Sequence, residues 1–437
     1  MTIKSTQFVD WFRSASSYIR VHRNRTFVVK IDDAAVHSDG FNHLVHDFAL
    51  LNSLGVRLVL VYGARASIDK LLTDRDLSFE YHKGLRVTDA EVMEYVKLAA
   101  GKLRFKIESR LSMGLGNTPM SKAELRVSSG NYVTAKPLGV IDGIDYQFTG
   151  EVRSIDGKAI SDKLANDEIV LIAPIGYSTT GETFNLNADQ LAGNLASRLN
   201  ADKLIYLMEA EGLTDNNGQL LRQLSREEAV SLLAETDESA AIYPYLESAV
   251  KACNAGVQRA HLIDRRIDGA ILQELFTRDG CGTMITNSPY DVIRRAGVAD
   301  INAILDLLEP LEQQGILVQR SREKLELEIE HFTLMERDGV IIACAALYPF
   351  AGESAAELAC LAVHADYHNE GRGEQLLTLL ESEAAGINLK SLFVLTTQSE
   401  HWFLERGFEN ASLDDLPVGR KALYNFQRNS KVLIKKL

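Results

Sequence analysis

The sequence predicts an α/β fold in two domains, a mainly parallel, helix-covered sheet followed by a smaller α+β domain. Three observations carry this reading. At 437 residues the chain exceeds what one hydrophobic core usually supports, so two cores are expected. From about Thr26 to Thr286, short β-branched and aromatic runs alternate with longer helical patterns. After Asn287-Ser288-Pro289 the order changes to helices and then consecutive strands joined by short turns.

Taken in order, Phe8, Phe12, Ala15 and Ile19 recur at helical spacing and predict an amphipathic helix ahead of the first strand. It could dock on its own domain or on another subunit. TFVVKI, VRLVLVY, EIVLIAP, KLIYLM and RAHLID are short and continuously apolar, as strands of a parallel sheet buried on both faces must be. The turn formers at 287–289 set the domains at residues 1–286 and 290–437. Beyond them DINAILDLLEPLEQQGIL and SREKLELEIEH read as helices, and HFTLMER, GVIIACAALY and AELACLAV as strands. The loop HNEGRG, a helix from about Glu374 and a strand SLFVL follow. In HWFLERGF, the residues Trp402, Phe403, Gly407 and Phe408 read as core and helix stop.

Composition narrows the function classes. The chain is 46% hydrophobic and 24% charged with a net charge of −13, which disfavours nucleic acid and anionic membranes as partners. Four cysteines without a Cys-x-x-Cys pair suit a reducing cytosol, so a cytoplasmic location is expected. MTIKSTQFVD lacks a leader pattern, and no apolar run approaches bilayer length. The ten histidines are scattered, and His43 with His46 lacks the surrounding pattern of a zinc site, so no metal is expected. No Gly-x-Ser-x-Gly nucleophile signature occurs.

The strongest local signal is AELACLAVHADYHNEGRGEQLLTLLE, a strand, a short connection and glycines directly before an amphipathic helix. Gly371 and Gly373 let backbone approach an anion, the first helical turn supplies free N–H groups, and Arg372 can add a charge. A Gly-x-Gly by itself is more often plain turn chemistry. Two helices, an antiparallel meander, then strand, Gly-x-Gly loop and helix resemble the GNAT acetyltransferase superfamily. The Gln/Arg-x-x-Gly-x-Gly/Ala loop of that family falls on His368 to Gly373, with His368 departing from its first position. The resemblance implies that Cys360, Leu361, Ala362 and Val363 offer strand backbone to the pantetheine arm and thioester of acetyl-CoA. Transfer to an amine needs a base, and Glu357 on the same strand is the candidate; a solvated strand residue is the competing reading.

Along its whole length the chain resembles the bacterial N-acetylglutamate synthase family, on RSRE after QGIL, CLAV, WFLERGF and RNS near the end. The resemblance implies L-glutamate as acceptor, with direct transfer and no acyl-enzyme. Arg320, helped by the backbone at Val318, would hold the α-carboxylate, while Arg428 and Ser430 would hold the side-chain carboxylate. Thr396 would hydrogen-bond the thiolate leaving group or the substrate. Either arginine judged singly is more often a surface ion-pair residue than a ligand clamp, so the assignment rests on their joint match.

Residues from about Phe27 to Thr286 resemble the amino-acid-kinase family, which implies a three-layer domain. FVVKI, VRLVLVYGA, SGNYVTAKPLGVIDG, TFNLNADQLAGNLA and RAHLIDRRIDGAILQELFTRDGCGT carry the likeness. Asp32-Asp33 and Gly63-Ala64-Arg65 stand where such kinases place phosphate-cradling glycine turns, although Lys30 and Asp189 match catalytic positions. A lost kinase activity is expected, with a bifunctional synthase and kinase, or a non-enzymatic arginine sensor, as alternatives. The closing segment resembles the arginine site of arginine-sensitive relatives, which implies L-arginine as effector. Its residues would be Tyr18 on the first helix, His261, Glu274 opposite the guanidinium, and backbone at Gly280 and Gly282. Relatives of this type assemble through this domain, so a homo-oligomer, a hexamer or other ring, is expected.

Overall fold

The computed structural model describes residues 5–113, 125–215, 217–277, 280–287, 291–337, 339–368, 371–426 and 428–437. It contains two compact units, residues 1–289 and 290–437. Ser288 and Pro289 of the expected junction lie outside the described residues.

The first unit opens with helix α1 (Ser5–His22), followed by the strands of one sheet. These are β1 (Thr26–Ile31), β2 (Arg57–Tyr62), β3 (Arg126–Ser128), β4 (Glu168–Ile172), β5 (Lys203–Met208), β6 (Gln223–Ser225), β7 (Arg259–Asp264) and β8 (Thr283–Thr286). Their order is β6-β8-β7-β5-β1-β2-β4-β3, and every pair runs parallel except β7 with β8.

Alternation along each strand explains the layers. Phe27, Val29 and Ile31 pack beneath the helices Phe41–Ser53 and Ala90–Leu111. Val28, Val59 and Val61 face the opposite way, onto α2 (Ala188–Arg198) and the helix Tyr243–Asn254. A sheet covered on both faces is a three-layer sandwich, and burial of each large apolar side chain contributes about 1.5–3 kcal/mol. Four strands, Val133–Pro137, Thr149–Ile155, Ile175–Tyr177 and Thr183–Leu186, close a small barrel that the strand pattern did not foretell.

On α1, Ala15 is buried and Ile19 packs on the core, as the helical spacing requires, but Phe12 is 53% exposed. The side chain of Phe8 lies outside the described residues. The helix is tied down at its end, where His22 Nε2 lies 2.7 Å from the carbonyl oxygen of Leu275 in α3 (Ala270–Phe276). Its ring meets Phe27 and Phe276 edge-on at 5.4 and 5.5 Å.

The second unit holds seven strands, beginning with β9 (Asp291–Arg295), which the sequence reading missed because DVIRR carries few apolar residues. After α4 (Ile301–Gln313) come β10 (Phe332–Arg337), β11 (Val340–Phe350) and β12 (Ala355–Val363). The helix α5 (Arg372–Gly386), strand β13 (Ser391–Thr396), helix α6 (Glu400–Leu404), strand β14 (Glu409–Ala411), helix α7 (Val418–Lys421) and strand β15 (Lys431–Lys436) complete it. The order is β9-β10-β11-β12-β13-β15-β14, antiparallel except for β12 with β13. Leu376, Leu377 and Leu380 of α5 cover one face, while Ile304, Leu307 and Leu308 of α4 cover the other.

Candidate active site

The register of β12 creates the opening in which chemistry can occur. Along one edge β12 pairs with β11 through Val363, whereas along the other it pairs with β13 only at Ala355, Ala356 and Glu357. From Leu358 onward the β13 side of the strand has no partner strand among the described residues, so its amides and carbonyls face a gap. A bulge sharpens the opening. The β11 register slips between Cys344 and Ala346, and Cys360 opposite adopts a left-handed φ of 52°. Such a conformation costs a non-glycine residue about 1–2 kcal/mol, and here it turns backbone groups out of the ladder. The Cys360 carbonyl accepts a weak bond from Cys344 Sγ at 3.4 Å, and burial pushes the Cys360 thiol up to about 12. It is therefore no thiolate nucleophile at neutral pH. Leu361, Ala362 and Val363 continue this same edge.

At the end of β12, His368 Nε2 lies 2.8 Å from the Val363 carbonyl oxygen, so the ring closes off the strand end. Asn369 and Glu370 lie outside the described residues. Gly371 then caps α5 with a φ of 75°, a conformation that glycine adopts without strain. A side chain at Gly373 would press on Trp402, whose Cζ2 lies 3.3 Å from the position a Cβ would take. One sequence expectation needs correction. The Arg372 guanidinium does not line the loop: it turns inward, 96% buried by residue, to bond Asp291 Oδ2 at 2.9 Å and the Tyr367 carbonyl at 3.1 Å. Its side chain is therefore engaged within the fold rather than aimed at the loop.

Below the gap stands Glu357, whose side chain is 13% exposed. Both its oxygens accept hydrogen bonds from Arg420 of α7, at 2.5 and 3.1 Å. It is therefore neither a solvated strand residue nor a free carboxylate. Thr396, buried at the end of β13, accepts from the backbone N–H groups of Ser399 and Gln398 at 2.9 and 3.3 Å. Its hydroxyl proton is left to donate elsewhere. The neighbouring Thr397 Oγ1 is buried without a hydrogen-bond partner among the described residues, a position that nothing in the sequence marked.

The loop after α4 brings in the two arginines. Burial works against the charge of Arg320, but the surroundings formed by Cys360, Tyr348 and Glu328, with a hydrogen bond to Tyr348, outweigh it and hold the guanidinium charged. Arg428 bonds the carbonyl oxygen of Ile316, so it reaches the same loop. Burial and then the like charge of Arg320 push the Arg428 guanidinium down. In both, Nε is buried without a hydrogen-bond partner among the described residues. Two neighbouring cations, each with an unpartnered buried Nε, have the chemistry to receive an anion with two carboxylates. Ser430, two residues after Arg428, is buried, its carbonyl accepting from the Tyr424 hydroxyl at 2.7 Å. Val318, on the Arg320 loop, is 53% exposed and offers backbone only.

The first unit carries two polar clusters. At the ends of β1 and β2, Lys30 is fully buried between Asp32 and Asp189, at 2.5 and 2.7 Å. Burial opposes its charge, but Asp189 and Asp32 outweigh it and raise the ammonium. Asp32 also accepts from Tyr245 at 2.7 Å, and Asp33 accepts from the backbone N–H of Ser67 at 2.5 Å. A Cβ on Gly63 would stand 3.2 Å from Asp32 Oδ1, so carboxylate fills the turn.

In the second cluster, the buried His261 Nδ1 lies 2.7 Å from Glu274 Oε1. Glu274 Oε2 accepts from the backbone N–H groups of Cys281 and Gly282 at 2.7 and 3.0 Å. Burial raises the Glu274 carboxyl, but these bonds outweigh it and hold it low. Burial, then the charge of Lys203, push His261 down. Gly280, at a φ of 59°, and Gly282 pass so close to Glu274 and Leu262 that a Cβ at either would collide. Tyr18 lies one turn before His22 on α1, with ring centroids 6.4 Å apart.

These two units match two families. The amino acid kinase family is matched over residues 25–264 and the acetyltransferase (GNAT) family over residues 301–408. Among similar proteins are the amino-acid acetyltransferase of Serratia proteamaculans, 49% identical over 99% of both chains, and that of Pseudomonas aeruginosa, 50% identical over 98% of this chain and 99% of its own. Among solved structures, N-acetylglutamate synthase from Neisseria gonorrhoeae, complexed with coenzyme A and L-arginine, has a TM-score of 0.90 at 40% identity. The likeness covers 98% of this chain and 99% of that one. Half-identity along nearly the whole of both chains, on a fold with a kinase-like unit and a splayed acetyltransferase strand, makes this chain a member of the amino-acid acetyltransferase family.

Proposed function

We propose that the enzyme transfers the acetyl group of acetyl-CoA to the α-amine of L-glutamate, and that L-arginine regulates the transfer. The observation that carries this is a pair of half-buried guanidinium groups, Arg320 and Arg428, close enough that the like charge of one disfavours the other, each with a buried Nε that has no partner among the described residues. A substrate with two carboxylates can satisfy both; one with a single carboxylate leaves the second cation without its anion. The solved relative complexed with coenzyme A and N-acetyl-glutamate supports the same chemistry.

Acetyl-CoA supplies the thioester. Backbone amides of Cys360 to Val363 on the open edge of β12 would hold the pantetheine arm and draw charge onto the carbonyl oxygen as it becomes an oxyanion. The N-terminus of α5, with Gly371 and Gly373, would receive the pyrophosphate. Arg320 with Val318 backbone, and Arg428 with Ser430, orient the two carboxylates. Glu357 takes the proton of the ammonium through a water, the amine nitrogen bonds to the acetyl carbon, and the carbon–sulfur bond breaks. Thr396 donates its hydroxyl hydrogen bond to the departing thiolate.

In the first unit, Asp32 and Asp33 occupy the turns where a kinase would cradle phosphate, so ATP would meet carboxylates and no phosphoryl transfer is expected. Arginine would bind at Glu274, His261 and the glycines beneath Tyr18. Release of coenzyme A thiol from acetyl-CoA, with L-glutamate, with L-glutamine, with L-aspartate and with no amino acid, tests the reaction. Release that depends on L-glutamate and changes with L-arginine supports both assignments. Equal release with L-glutamine, which keeps the chain length but has one carboxylate, refutes the two-arginine clamp, and equal release with L-aspartate would show that the clamp does not measure the spacing of the two carboxylates.

A further inference from the structure

We infer that Arg420 is a positioning residue for acetyl transfer, holding Glu357 in the one orientation from which it can serve the incoming amine. The inference rests on the proposed role of Glu357 as base. The guanidinium of Arg420 grips both carboxylate oxygens, Nε to Oε2 at 2.5 Å and Nη2 to Oε1 at 3.1 Å. Both side chains are largely hidden, 20% and 13% exposed, so neither is a floppy surface ion pair. A two-point grip of this kind fixes direction as well as charge.

What the grip prevents is as informative as what it holds. Cys360 feels the charge of both Arg320 and Glu357, so the carboxylate and the substrate-clamping guanidinium share one neighbourhood. A carboxylate on a flexible stem, released there, would be free to turn toward Arg320, whose Nε has no partner among the described residues. That movement would remove the base and block the clamp together. Arg420 forestalls it, and does so without exhausting Glu357. A carboxylate has about four acceptor positions, Arg420 uses two, and the remainder can receive a water or an ammonium. Arg420 itself is fixed from the turn after its helix, where Nη1 donates to the Leu423 carbonyl at 3.3 Å.

The test is a double-mutant cycle in the full-length enzyme, with Arg420→Gln, Glu357→Gln and the pair, reading kcat and both KM values at saturating co-substrate. Arg420→Gln should lower kcat/KM for L-glutamate about 10²-fold, the lower end of what a base supplies, with the KM for acetyl-CoA unchanged. In the Glu357→Gln background the same change should lower kcat no further. Arg420→Lys, which keeps charge but offers one contact, should recover about tenfold over Arg420→Gln and guards against a folding defect. Additive losses in the cycle, an unaltered kcat in Arg420→Gln, or a rise in acetyl-CoA KM would overturn the assignment to Arg420. Full kcat in Glu357→Gln would instead remove the base reading itself, which keeps the two failures distinct.

Discussion

At the scale of single residues, the functional groups announce themselves by what they lack. Arg320 and Arg428 are half-buried cations close enough for their like charges to oppose each other, each with a buried Nε that has no partner among the described residues, an arrangement that an anion would relieve. Each charge-assisted contact to a carboxylate is worth about 1.5–3 kcal/mol, so Arg320→Ala or Arg428→Ala should cut kcat/KM for L-glutamate about 10–150-fold. Steady-state kinetics with each substrate varied should show the KM for acetyl-CoA unmoved. His261 presents the opposite case, a group that folding keeps neutral. Its pKa is pushed below the usual 6.5 by burial and by Lys203, so the unfolded chain binds a proton that the folded chain refuses. Stability from this residue is full above pH 6.5 and is lost as pH falls below it. Thermal melts of His261→Gln should therefore show a shallower fall in Tm between about pH 6.5 and 5 than the unaltered enzyme. Parallel pH profiles would show that His261 does not carry the effect.

At the scale of elements, what the sequence displayed was periodicity and turn chemistry. The continuous apolar runs of β1, β2, β4, β5 and β7 announced strands buried on both faces, and Gly371 before a leucine-rich helix announced the anion-binding turn. What stayed hidden depends on register and on long-range pairing. The bulge at Cys360 arises because β11 slips by one residue, and no single strand records its partner's register. Arg420 lies 63 residues from Glu357 in a helix with no apolar pattern, so only folding reveals the ion pair. Arg372 sits in the loop motif but is drawn inward by Asp291, 81 residues away. The loop is thus a backbone device, and a backbone test follows. Gly371→Ala forces a Cβ into a φ of 75° at a cost of about 1–2 kcal/mol. If the turn shifts to relieve that strain, the KM for acetyl-CoA should rise about tenfold while the KM for L-glutamate holds. Equal rises in both would place the defect outside the turn.

At the scale of the whole molecule, an effector on the kinase-like unit can alter acetyl transfer only if it binds two states of the chain with different affinity. The residues proposed to bind L-arginine are already engaged. Glu274 spends three acceptor positions on His261, Cys281 and Gly282, so a guanidinium can take at most the remainder or displace a protein donor. Displacement would disturb the turn that leads into β8, and thermodynamic linkage makes any such coupling reciprocal. Titration of L-arginine by calorimetry in the presence of L-glutamate, with and without coenzyme A, a pair that cannot react, measures one direction. Titration of coenzyme A with and without L-arginine in the presence of L-glutamate measures the other. The two affinity ratios must agree, and a regulatory coupling of the usual size makes them about 5–150-fold. Glu274→Gln should bring both ratios toward one together. Tight L-arginine binding with ratios already at one would leave an arginine site on the first unit that does not regulate acetyl transfer.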